Sequence, residues 1–159
     1  MQKRLVCLLI LVLFAGCAAK SRAASPEAVL AEIAAGRWEL DVEASMRVDS
    51  AAREEIEKIG RDKFVADYGQ LGFSIDTQKR VIAWYADRKT AANTLSFAVA
   101  PESAEDATER KNGVRQVRLV MNDDKAAVVM LRYDGTGKLL FFMQDGRDEL
   151  IGVFAPLEK

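Results

Sequence analysis

From Gly72 onward the chain is a series of short segments in which apolar and polar residues alternate, and this period of two is what most constrains its fold. Phe73 and Ile75 alternate first. Val81, Ala83 and Tyr85 then oppose Ile82 and Trp84, and Leu95, Phe97 and Val99 follow. Val117, Leu119 and Met121 make a further run, as do Val129, Leu131 and Tyr133. Asp134-Gly135-Thr136-Gly137 has hairpin-turn chemistry, because glycine supplies the positive φ that tight turns need. Leu139, Phe141 and Met143 come next, then a turn at Asp145-Gly146 and a last strand carrying Leu150 and Phe154. Ser103 to Gly113, polar and charged, reads as an exposed loop.

Before Gly72 the period is mostly helical. Ser25-Pro26-Glu27 is a helix start with serine as N-cap and proline in the first turn, and Val29, Leu30 and Ile33 give that helix one apolar face. Trp38, Leu40 and Val42 alternate with Arg37, Glu39 and Asp41, which makes a first strand. From Glu43 the spacing of Val48, Ala52, Ile56 and Ile59 predicts one amphipathic helix, broken at Gly60. Phe64, Val65 and Tyr68 predict a second short piece that stops at Gly69. The charge run Arg53-Glu54-Glu55-Glu57-Lys58 reads as a solvated face. The expected fold is mainly β with a helical insert at about 43–70: a closed antiparallel barrel, or a strongly curved meander sheet, of about eight strands. The insert packs over an end or face of this single domain, residues 26–159.

The N-terminus has its own pattern. Lys3 and Arg4 precede an unbroken apolar run from Leu5 to Phe14, which is shorter than the ~20 residues a membrane-spanning helix needs. Such a run is the h-region of an export signal. Leu13-Phe14-Ala15-Gly16-Cys17 resembles the lipobox of bacterial lipoproteins, with Phe14 where leucine is usual. The resemblance implies a signal peptide at residues 1–16, acyl chains on Cys17, and a linker through Ser25. Ala18, not aspartate, follows the cysteine, which by resemblance to enterobacterial sorting points to the periplasmic face of the outer membrane rather than the inner one.

Composition narrows the chemistry. The chain has no histidine, and no cysteine follows Cys17, so the mature domain holds no disulfide, cysteine nucleophile, His-based triad or His/Cys zinc site. The net charge is −1, without the basic stripe that nucleic acid requires. Asp123-Asp124 and Asp145/Asp148-Glu149 sit in turns and miss the spacing of a calcium loop, so they read as solvated turn residues. Asp134-Gly135-Thr136-Gly137-Lys138 lacks the following helix of a phosphate-binding loop. No metal, cofactor or catalytic residue is expected. The aromatic residues remain: Trp38, Trp84, Tyr85, Phe97, Tyr133 and Phe141, with Phe142 and Phe154 beside them. These residues either line a pocket inside the barrel or fill its core, with the hydroxyls of Tyr85 and Tyr133 as the polar groups of any pocket. Leu139 to Met143, apolar on both faces, suits a strand covered on one side by the helix; the alternative is an exposed partner-binding face.

Gly36-x-Trp38-x-x-Asp41, the helical insert, the meander and the closing Asp145-Gly146 hairpin resemble small bacterial lipocalin-like lipoproteins of unassigned function. The resemblance covers roughly residues 36–154. It departs from lipocalins proper in two ways: the helix follows the first strand, and no arginine stands after Phe154 to pack on the tryptophan. It implies a non-enzymatic, membrane-tethered binding domain for a small apolar ligand. The alternative is an envelope protein–protein interaction module, an inhibitor or assembly accessory.

Overall fold

The structure is a computed structural model, and it describes residues 24–122, 127–144 and 148–157. Eight antiparallel strands close into a barrel in chain order: β1 (Arg37–Leu40), β2 (Gly72–Asp76), β3 (Val81–Tyr85), β4 (Ala91–Val99), β5 (Gln116–Met121), β6 (Val128–Tyr133), β7 (Leu139–Gln144) and β8 (Asp148–Pro156). The closed alternative of the expected fold is thus the one that forms. Alternation decides which side chains point inward. Trp38 pairs with Phe73 and Phe73 with Trp84, while Leu40 pairs with Phe154 and Phe154 with Leu139. Each inward row is continued by Ile82, Phe97, Val117, Leu119, Leu131 and Phe141, all at most 2% exposed.

Helix α1 (Pro26–Ala34) closes the end at which β1 begins. The Ser25 hydroxyl caps it, accepting from the Ala28 N–H at 3.3 Å, and Val29, Leu30 and Ile33 are buried against the barrel. The indole N–H of Trp38 donates to the Ile33 carbonyl at 2.8 Å, tying the helix to the first strand.

β1 is only four residues long, and the helical insert takes over the wall where it stops. Asp41 ends the strand and N-caps α2 (Val42–Met46), accepting from the Ala44 N–H at 2.9 Å. That is the structural reason for the aspartate three residues after Trp38. The backbone N–H of Asp41 still reaches the Val153 carbonyl, but the Val153 N–H turns to the Ser45 hydroxyl at 2.9 Å. A side chain thus replaces the next rung of the ladder.

The expected single helix from Glu43 to Ile59 is two. Ser50 caps α3 (Ala51–Ile59), accepting from the Arg53 N–H and donating to the Ser45 carbonyl, so Val48 lies in the link between α2 and α3. A serine that can satisfy the first N–H groups of a new helix competes with continuation of the old one. Gly60, at φ 88°, ends α3 and starts α4 (Arg61–Tyr68). Ala52, Ile56 and Phe64 face the barrel, whereas Arg53–Glu57, Lys58–Glu55 and Lys63–Asp67 pair on the solvated side.

The insert lies on β8, not on β7 as expected. At Gly152 a Cβ would stand 2.8 Å from Leu40 Cδ1 of β1 and 3.3 Å from Ser45 Oγ of α2, so a larger residue there would require both side chains to shift. Leu140 and Phe142, on the outer side of β7, are half-buried.

Ser103 to Gly113, expected as a loop, contains helix α5 (Ala104–Lys111). Ser103 and Asp106 form a capping box. Asp106 is 7% exposed and accepts from the Ser103 N–H and hydroxyl, Gln116 Nε2 and Arg118 Nε. Burial works to raise its carboxyl; the Ser103 and Arg118 bonds outweigh that and hold it below the usual carboxylate range. The helix is held to the outside of the barrel by polar contacts, so no apolar stripe announces it in the sequence.

Candidate functional site

The barrel axis is occupied by rings. Phe73 lies 5.4 Å from Trp84, 5.6 Å from Phe141 and 5.2 Å from Phe154 between centroids. Trp84 is 5.1 Å from Phe141, which is 5.8 Å from Phe154. Edge and tilted contacts of this kind add about 0.5–1.5 kcal/mol each to the burial of the rings themselves. The cluster sits where a carried ligand would sit, so an interior site would require these rings to move.

The sequence candidates therefore separate into four places. Trp84 and Phe141 belong to the central cluster. Phe97 is buried at 2% exposure on β4. Trp38 is at the α1-closed end, with Tyr133 in edge contact at 6.1 Å. Tyr85 stands on the outer wall: its ring lies under the Arg37 guanidinium at 3.6 Å, and its hydroxyl is 3.2 Å from Ser74 Oγ. It is not placed to line an interior pocket. Cys17, Asp123-Asp124 and the Asp145-Gly146 turn lie outside the described residues.

Among the described residues several clefts open on the outside of the barrel, including a broad one of about 720 Å³ between the start of α1 and Arg110; two others border the aromatic side chains. The first is apolar and lies at the seam where β1 stops and the insert begins. Leu40, Ala52, Phe64, Leu71, Ile151 and Phe154 line it together with Tyr68 and Glu55, and its volume is about 140 Å³, open on one side to solvent. Its floor reaches Phe154, a member of the central ring cluster. A volume of ~150 Å³ is enough for one benzene, so by size this open cleft accommodates one ring or one branched side chain.

The second cleft is polar, about 370 Å³, and lies at the rim of the α1-closed end. Glu32 of α1, Arg115 before β5, Arg132 and Tyr133 of β6, and the Asp134–Gly137 turn surround it. Arg115 pairs with Glu32 and lies over the Tyr133 ring at 4.6 Å. The Tyr133 N–H donates to the Arg115 carbonyl at 2.9 Å, which fixes the two residues against each other. Burial pushes the Tyr133 phenol up, with Arg115 opposing, so at neutral pH it is a protonated donor. Asp134 is committed to its own turn, accepting from Thr136 N–H at 2.7 Å and Lys138 N–H at 3.1 Å.

The chain matches no known protein family, no curated protein and no solved structure. Among the described residues no group of three or more Asp or Glu side chains is placed to hold a metal ion, and no helix is long and apolar enough to cross a membrane. Of the cleft residues, the aromatic list anticipated Tyr133 and Phe154. Arg115, Glu32, Leu71 and Ile151 carry no local signal: they meet only when the barrel closes and the insert docks.

Proposed function

We propose that this chain is a lipid-anchored, non-enzymatic binding domain of the bacterial envelope that takes one apolar group of a partner protein into the seam cleft. The observation that carries the reading is the distribution of exposed large apolar side chains. Among the described residues these are Met46, Val65, Tyr68 and Met143, and three of the four are on the helical insert, with Tyr68 at the cleft edge. An apolar cleft edged by the exposed Tyr68 ring, on an insert that also exposes Met46 and Val65, fits an anchor-in-pocket contact, in which a few buried side chains supply most of the affinity. The cleft's size fits a Phe, Leu or Ile side chain and not a long acyl chain. The lipobox resemblance around Cys17 and the resemblance to lipocalin-like lipoproteins support the tethered setting. A free small apolar ligand is the second reading, because a ring-sized molecule fits the same cleft.

The test is an NMR titration of the isotopically labelled chain with benzene and with a short peptide carrying one central Phe. Saturable shifts at Leu71, Tyr68 and Ile151, with tighter binding for the peptide, are expected. Tighter benzene binding favours the free ligand. Shifts confined to Phe97 and Phe141, or no saturation with either probe, reject the cleft as the binding site.

A further inference from the structure

We propose that the rim cleft is a second binding site, for a small organic carboxylate, which displaces Glu32 from Arg115 and accepts a hydrogen bond from the Tyr133 hydroxyl. This goes beyond the seam cleft and does not depend on it. The volume, about 370 Å³, lies within the ~300–1,000 Å³ of small-molecule sites. The cleft also presents a fixed arrangement of donors. Arg115 is held over the Tyr133 ring, Tyr133 is held by Trp38 at its edge, and among the described residues the Tyr133 hydroxyl has no hydrogen-bond partner. A planar guanidinium beside a phenol donor matches a carboxylate, which can accept two parallel bonds from the one and a third from the other.

The acids around the cleft differ in how firmly they are committed. Asp134 is held by its turn, and Glu109 by Gln116 Nε2 at 2.6 Å and by Arg132 at 3.7 Å. Among the described residues Glu32 is the acid paired with Arg115, and the two side chains are 50% and 43% exposed. An ion pair this open contributes little and exchanges readily. Glu32 therefore occupies the position of the ligand's own carboxylate and competes with it. Gly113, Gly135 and Gly137 line the cleft, and an added Cβ at any of them would meet nothing within 4 Å, so their backbone faces open space.

The experiment is calorimetric titration of the full chain, in detergent, with benzoate, with its neutral isostere benzamide, and with inorganic phosphate. Benzoate should bind saturably and change tryptophan emission through Trp38, while benzamide and phosphate should not. Arg115→Gln should abolish binding and Tyr133→Phe should weaken it, each with a melting temperature close to the parent's. Glu32→Gln is the decisive variant. Removing the competitor should tighten benzoate binding, by up to about fivefold for an exposed pair. Unchanged or weaker binding in Glu32→Gln overturns the proposal. So does the absence of saturable benzoate binding, or equal binding of phosphate or benzamide.

Discussion

Replacing Phe73 by alanine removes the ring that touches every other member of the central cluster. Phe73 is fully buried, with Trp84, Phe141 and Phe154 at 5.2–5.6 Å. Truncating a phenylalanine in a close-packed interior costs about 3–5 kcal/mol, part of it for the cavity left behind. The three lost ring contacts place this site toward the upper end. A domain with ~5–15 kcal/mol of stability would lose a third of it or more. At roughly 3–5 °C per kcal/mol, the thermal midpoint should fall by about 10–20 °C. Guanidinium unfolding followed by far-UV circular dichroism gives the free-energy difference at unchanged slope. Phe73→Leu, which retains most of the buried volume, is the control and should lose far less. In a hollow barrel the alanine would only enlarge a space already present, so a drop of less than about 3 °C would refute the packed interior.

Three further outcomes follow from local geometry. Gly152→Ala places a Cβ 2.8 Å from Leu40 Cδ1 and 3.3 Å from Ser45 Oγ, and overpacking of this kind should cost about 1–3 kcal/mol, read by the same unfolding assay; no loss would mean that Leu40 and Ser45 are not packed tightly on β8 at this point. Asp106 titrates below its unfolded value, so its contribution is present above pH ~4 and is lost as the pH falls through the folded value; Asp106→Asn should flatten the acid limb of a melting-temperature profile between about pH 5 and pH 2, and an unaltered limb would place that dependence elsewhere. Cys17→Ser should leave the chain unprocessed or release it from the membrane fraction, because stable attachment needs more than one acyl chain; normal processing with membrane retention would reject the anchor.

The barrel was legible because each strand carries its own record: alternation fixes the inward set, and Trp38, Phe97 and Phe141 are buried as that pattern requires. Tyr85 shows where the pattern stops deciding. Val81, Ala83 and Tyr85 are as apolar as Ile82 and Trp84, so the choice of face waits on the neighbouring strands, and Arg37 takes Tyr85 on the outside. Helix α5 escaped for the opposite reason. It has almost no apolar stripe, and its anchor is a buried carboxylate whose partners come from β5. The capping pair Ser103 and Asp106, three residues apart, was the available signal. The two clefts were not readable locally, since Leu40 and Leu71 reach Ile151, and Glu32 reaches Arg115, only across the closed fold.

Diffraction from crystals of the protein pressurised with xenon tests the central claim most directly, because xenon enters dry apolar space and little else. A xenon site is expected at the seam, among Leu40, Ala52, Phe64, Leu71 and Ile151, and none between the rings on the barrel axis. Xenon between Phe73, Trp84 and Phe141, with the seam empty, would contradict it and return the interior to the role of a carrier's pocket.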